Sequence, residues 1–210
     1  MICPLDDESA RRLQDCVAGG GVAVFPSDTV YGICCDPDDE HAAQRLYALK
    51  GRPAARACAV MFFSLQRALA ALDDLREAER EALAALLPGP VTVLLANPSG
   101  RFAPACRVDP ATLGLRVPAL DGALAPLAAV EIPLLQSSAN LSGEPDARTV
   151  EQVPERLREG ADLVIDAGEL PGTPSTVVDL RDLQEQRRWH VLREGALPRE
   201  QVRDALAALA

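Results

Sequence analysis

At 210 residues, with 48% hydrophobic and 25% charged side chains, the chain has the length and balance of an ordinary globular protein that can bury a substantial core without disulfide or metal staples. A formal net charge of −10 argues against a general nucleic-acid binder, because affinity for a phosphate backbone comes from clustered positive charge, and aromatic residues at 3% leave few base-stacking platforms. No apolar run is long enough to span a bilayer, and Met1 to Glu8 carries acidic residues where a signal peptide needs a basic start, so a cytoplasmic, single-domain protein over 1–210 is expected.

Ser9 to Val17 reads as a short amphipathic helix ended by Gly19-Gly20-Gly21. The triple glycine precedes a strand and lacks the Gly-Lys-Ser/Thr of a phosphate loop. Val22 to Phe25 reads as a buried strand that hands its exposed end to Pro26-Ser27-Asp28-Thr29-Val30-Tyr31-Gly32. The hydrogen-bonding side chains of Ser27, Asp28, Thr29 and Tyr31 are candidate substrate contacts, although Pro-Ser-Asp is also plain turn chemistry. Six cysteines (Cys3, Cys16, Cys34, Cys35, Cys58 and Cys106) form no C-x-x-C pair and have no histidine cluster nearby, which predicts reduced, packing thiols and no metal site. Adjacent Cys34 and Cys35 would point to opposite faces of a strand.

Asp38-Asp39-Glu40 suits a helix N-terminus, and His41 to Leu49 carries apolar positions at helical spacing, with Lys50 at the end and Gly51 as the stop. Lys50 is the one lysine among 21 cationic residues, the other 20 being arginine. A compact ammonium kept in an arginine-using chain suggests a place where a planar guanidinium does not fit. Arg52 and Arg56 follow, and three cations in seven residues suit a polyphosphate, although taken alone they are also what a solvated basic loop carries. Ala57 to Phe63 and Val91 to Ala96 read as strands, and Ser64 to Leu72 and Asp74 to Leu87 as helices, the second stopped by Pro88-Gly89-Pro90. Thr112 to Pro118 is a strand whose alternation puts Thr112, Gly114 and Arg116 on one face. Glu131 to Leu135 reads as an apolar run leading into the polar cluster Gln136-Ser137-Ser138-Ala139-Asn140-Leu141-Ser142-Gly143, whose hydroxyl and amide groups suit phosphate or carboxylate oxygens. Thr149 to Glu159 reads as a helix despite Pro154; Leu163 to Asp166, Ser175 to Leu180 and Trp189 to Leu192 read as strands; and Pro198 opens a last helix to Leu209. The alternation predicts an α/β domain with a mixed sheet.

Seven segments in this order resemble the YrdC-like threonylcarbamoyl-AMP synthase family. They are Pro26 to Gly32, Lys50-Gly51-Arg52-Pro53, Leu87 to Thr92, Gly114 to Pro118, Ser138 to Gly143, Ser175 to Asp179 and Leu192-Arg193-Glu194-Gly195. The resemblance implies a twisted mixed sheet flanked by helices around a large concave cavity. It also implies a reaction in which L-threonine, bicarbonate or CO2, and ATP yield threonylcarbamoyl-AMP and pyrophosphate, with Mg²⁺ carried on the ATP phosphates. The product would feed a separate tRNA threonylcarbamoyl transferase complex, with no strong direct binding of tRNA. By matching positions, Thr29, Tyr31 and Arg116 would contact threonine, and Lys50 and Arg52 would act in catalysis at the phosphates. Arg56, Thr112, Ser138, Asn140, Ser142, Ser175 and Arg193 would complete the ATP site. Arg56-Ala57-Cys58-Ala59 departs from the family's Asn- or Lys-Pro-Leu step, and Ser137 replaces a usual proline. These departures leave open a paralogue handling another carbamoyl or acyl adenylate, and a non-enzymatic RNA-binding module is the remaining alternative. The extra C-terminal domain of longer members is not expected.

Overall fold

The computed structural model of the chain describes residues 2–51, 58–107 and 109–209. In chain order its elements are β1 (Ile2–Pro4), α1 (Asp7–Ala18), β2 (Ala23–Phe25), β3 (Gly32–Cys35), α2 (Glu40–Lys50), β4 (Ala59–Met61), α3 (Leu65–Ala71), α4 (Glu77–Leu86) and β5 (Val91–Ala96). They continue with α5 (Ala103–Cys106), β6 (Thr112–Arg116), β7 (Leu134–Ser138), α6 (Glu155–Gly160), β8 (Leu163–Asp166), β9 (Thr176–Asp179), α7 (Leu183–Gln186), β10 (His190–Arg193) and α8 (Arg199–Ala205).

Helix boundaries follow local chemistry. Asp6 accepts from the Ser9 backbone N–H at 2.7 Å while Ser9 Oγ accepts from the Asp6 N–H at 2.8 Å, a reciprocal cap that starts α1. Asp39 caps α2 by accepting from the N–H groups of His41 and Ala42 at 2.8 and 3.0 Å. Gly51 ends that helix with φ of 57°, a left-handed conformation that glycine adopts without a Cβ penalty. This stop leaves Lys50 on the last turn.

The strands form one mixed sheet in the order β1-β8-β2-β3-β7-β4-β6-β5-β9-β10. Parallel pairing joins β1 and β2 to β8, β4 to β6, and β5 to β9, and the remaining neighbours are antiparallel. The central strands β2, β3 and β7 are buried almost throughout, as expected where both faces of a sheet are covered. The core takes Leu13 and Val17 from α1, Leu46 from α2, Ala82 and Leu83 from α4, and Val202 from α8, all nearly or wholly inaccessible. All six cysteines are present as thiols, and burial raises those of Cys16, Cys34, Cys35 and Cys106 above the ordinary value, so they stay protonated packing groups. Among the described residues no helix is long and apolar enough to cross a membrane.

Two expectations are corrected. The helix predicted over 149–159 is broken into a 3₁₀ turn at Val150–Gln152 and α6, because Pro154 lacks an N–H and stands at the start of α6 instead of inside a longer helix. The last helix ends at Ala205, short of Leu209. Within the apolar run Glu131 to Leu135 and the polar cluster after it, β7 begins at Leu134 and carries Gln136, Ser137 and Ser138.

Candidate active site

One cavity of about 490 Å³ lies against the middle of the sheet. Strand alternation builds its floor: Leu113 and Leu115 of β6 enter the core while Thr112, Gly114 and Arg116 face the cavity, and in β5 Val93 enters the core while Thr92 and Leu94 face out. Gly114 pairs with Ala59 on one side and Leu94 on the other. A Cβ on Gly114 would stand 3.3 Å from Ala59 Cα, so two minimal side chains, side by side, keep the floor low. Ser27, Thr29, Gln136, Ser137, Ser138, Ser175 and Arg193 add polar wall.

Arg116 marks one end. Its Nη2 donates to Asp28 Oδ1 at 2.6 Å and to Thr29 Oγ1 at 3.2 Å, and Asp28 Oδ2 also accepts from the Ala119 N–H at 3.1 Å. Both side chains of this ion pair are about 95% buried. Burial pushes the Asp28 carboxyl above its ordinary value against the pull of Arg116, and burial lowers the Arg116 guanidinium against the pull of Asp28. An arginine nevertheless keeps its proton in a protein, so the pair is ionic. Among the described residues, Arg116 Nε is the one buried side-chain nitrogen or oxygen without a hydrogen-bond partner. Arg116 lines the cavity while its Nε is closed off and unpartnered, so the hydrogen-bonding capacity of this guanidinium is not used up within the chain.

Across the sheet, β5, β9 and β10 bring Thr92, Val177 and Arg193 level with Arg116, and the start of β6 makes the other end. Arg193 Nη2 donates to Ser175 O at 2.8 Å, and Ser175 Oγ lies 2.8 Å from Thr92 Oγ1. Thr112 Oγ1 accepts from Arg181 Nη1 at 3.0 Å. Arg181, Asp109 and Asp146 line the cavity together with the predicted groups.

Lys50 is 99% buried and lies behind this wall. Its Nζ donates to Ser138 O, to Asn140 O at 2.8 Å and to Asn140 Oδ1 at 3.1 Å. Asn140 Oδ1 also accepts from Ser138 Oγ at 2.8 Å, and its Nδ2 donates to Glu144 O at 2.5 Å. The end of the second helix and the serine and asparagine turn are therefore one unit, closed further by the Ser142 N–H donating to Lys50 O at 3.2 Å. Ser138 lines the cavity, whereas Lys50, Asn140 and Ser142 stand behind it and support the turn that faces it.

Thr29, Arg116, Thr112, Ser138, Ser175 and Arg193 all line the one cavity. Tyr31 lines it too, but its hydroxyl is engaged elsewhere, 2.8 Å from Gly168 O and 3.0 Å from Asp166 Oδ1, while accepting from the Ala167 N–H at 3.0 Å. Ser27 Oγ turns inward to donate to Val30 O at 2.7 Å. Arg52 and Arg56 lie outside the described residues. Sequence reasoning missed Arg181, Asp109 and Asp146. For Arg181 a signal existed, since it sits two residues beyond Asp179 at the end of a predicted strand, where α/β sheets place ligand contacts.

The Sua5/YciO/YrdC family model, described as telomere recombination, matches residues 15–195. A threonylcarbamoyl-AMP synthase of Chromohalobacter salexigens is 36% identical over 187 residues, covering 86% of this chain and 99% of that protein. The structure of P. abyssi Sua5 complexed with L-threonine superposes with a TM-score of 0.82 at 28% identity, covering 98% of this chain, which spans 59% of that longer one. E. coli YciO gives a TM-score of 0.79 at 25% identity, with 96% and 97% of the two chains covered. With the family model covering most of its length and a relative matched nearly end to end, the chain belongs to the Sua5/YciO/YrdC family.

Proposed function

We propose that this chain is a threonylcarbamoyl-AMP synthase, converting L-threonine, bicarbonate or CO2, and ATP into threonylcarbamoyl-AMP and pyrophosphate for tRNA modification. The observation that carries this is the Arg116 guanidinium, held by Asp28 and Thr29 where it lines a cavity whose other walls hold hydroxyls and the Arg193 guanidinium. Such an end suits the carboxylate of an amino acid, which a guanidinium grips through more than one N–H. Further support comes from the relative named threonylcarbamoyl-AMP synthase and from the superposition on a Sua5 complexed with L-threonine.

The chemistry asks little of the protein covalently. The threonine amine adds to the carbon of CO2 and loses a proton, and an oxygen of the resulting carbamate attacks the α-phosphorus of ATP as pyrophosphate leaves. Neither step needs a protein nucleophile, so the cavity acts by positioning and by neutralising charge. Arg116, held by Asp28, fixes the carboxylate; Arg193 and the hydroxyls of Ser138 and Ser175 face the phosphates; and Lys50 sets the Ser138 turn while placing a fixed positive charge behind it. Among the described residues no group of three or more His, Cys, Asp or Glu side chains is arranged to hold a metal, but the wall supplies hard oxygen donors, among them Asp146. That donor set fits Mg²⁺ arriving on the triphosphate, where it would neutralise charge. We further assign the nucleotidyltransferase class, a single domain over 1–210, a cytoplasmic location and a downstream transferase complex as the consumer of the product.

The test is pyrophosphate release by the purified chain. Release should require threonine, bicarbonate and ATP together; release without threonine, or none with all three present, would contradict the assignment. Faster release with a different amino acid would point to a paralogous substrate.

A further inference from the structure

Arg181 is fixed in place by three of its five N–H groups, the other two having no partner among the described residues. Its Nε donates to Asp179 Oδ1 at 2.9 Å, its Nη2 to Asp179 Oδ2 at 2.6 Å, and its Nη1 to Thr112 Oγ1 at 3.0 Å. The Arg181 backbone N–H also donates to Asp179 Oδ1 at 3.1 Å. This two-pronged pairing orients a planar fork at the cavity mouth, with one N–H on each terminal nitrogen beyond the three bonds named.

Position along β6 says which part of a substrate this fork meets. Thr112 and Arg116 stand on the same face of that strand, four residues apart, which is about 13 Å at the rise of an extended chain. An adenylate with its amino-acid carboxylate on Arg116 reaches its phosphorus well before that distance and its ribose and base near it. Local charge points the same way. The carboxylates of Asp179, at 2.6 Å, and Asp109, at 4.0 Å, outnumber the one guanidinium between them, so the corner is net negative and disfavours a polyphosphate. A neutral nucleoside suits it: the guanidinium donates to ribose or base acceptors, and Asp109, a lining residue, accepts from hydroxyl or amino hydrogens. Arg193, level with Arg116 across the sheet, makes no ion pair among the described residues, which leaves it as the cation for phosphate.

We infer that Arg181, braced by Asp179 and Thr112, is a specificity-determining residue that binds the nucleoside half of ATP, leaving the triphosphate to Arg193 and the serine-lined wall. This rests on the adenylating reading proposed above. Calorimetry on the whole chain with two probes, ATP and inorganic tripolyphosphate, separates the possibilities. Arg181→Ala should weaken ATP about tenfold and leave tripolyphosphate within twofold. Arg181→Lys, which keeps the charge but lacks the two-pronged fork, should fold with an unchanged melting temperature and fail to restore ATP affinity. Equal weakening of both probes would make Arg181 a phosphate ligand, and unaltered ATP affinity would remove it from the site; either result overturns the inference. If the parent chain bound neither probe, the adenylating assignment itself would fall, and this inference with it.

Discussion

Two cations illustrate how a side chain's role follows from what surrounds it. Arg116 has a buried partner in Asp28 and a buried N–H still unpartnered, so its removal has two separable effects. Arg116→Ala leaves Asp28 buried without a counter-ion and should cost about 3–5 kcal/mol of stability, read by denaturant unfolding. Arg116→Lys keeps the charge and should unfold at nearly the parental midpoint, while the KM for threonine rises at least about tenfold, because an ammonium cannot serve Asp28 and a carboxylate at once in the geometry of a planar fork. Lys50 is the opposite case. Its prominence as the one lysine was readable from composition, but its acceptors lie 88 and 90 residues away, and no local pattern names them. Among the described residues three acceptors stand around this one nitrogen, an arrangement that suits the compact ammonium of lysine better than a planar guanidinium. Lys50→Met should therefore lower stability by about 3 kcal/mol as well as abolish turnover, since the carbonyls of Ser138 and Asn140 lose a charged donor. An unchanged unfolding midpoint with lost turnover would show instead that the lysine serves the phosphates and not the turn.

At the scale of elements, strand alternation was the most informative signal. The face shared by Thr112, Gly114 and Arg116 follows from period-two geometry alone, and the structure puts those three residues on the cavity floor. Caps were equally readable, as Asp39 and Gly51 show for α2. What local rules could not supply was set by distant partners: β7 extends to Ser138 because Gly32, Ile33, Cys34 and Cys35 pair with Ser138, Ser137, Gln136 and Leu135, so polar residues are held in a strand by a neighbour about 100 positions earlier. The Thr149 to Glu159 helix failed for a local reason that periodicity outweighed, the missing N–H of Pro154. The floor itself provides a test. Gly114→Val would place branched carbons against Ala59 and raise the floor; overpacking of this kind costs about 1–3 kcal/mol, and turnover should fall by at least about 100-fold while the chain still folds. Near-normal turnover in that variant would show that substrates do not lie on this part of the sheet.

For the whole molecule, the cavity exists because segments spread from Ser27 to Arg193 are drawn onto one mixed sheet, with an anion-seeking arginine near one end and a hydroxyl-rich wall towards the other. Net acidity and a cationic group in the cavity are compatible, since the charge of the whole chain is screened over distance while the buried Arg116 guanidinium acts at short range in a low dielectric. The most direct test of the central claim compares L-threonine with L-threoninol, which lacks only the carboxylate, by calorimetry in the presence of a non-cleavable ATP analogue. If Arg116 and Asp28 form the amino-acid end of the site, threonine binds and threoninol is weaker by about 100-fold, about 2.7 kcal/mol. Equal affinity for the two, or no binding of threonine, would contradict it.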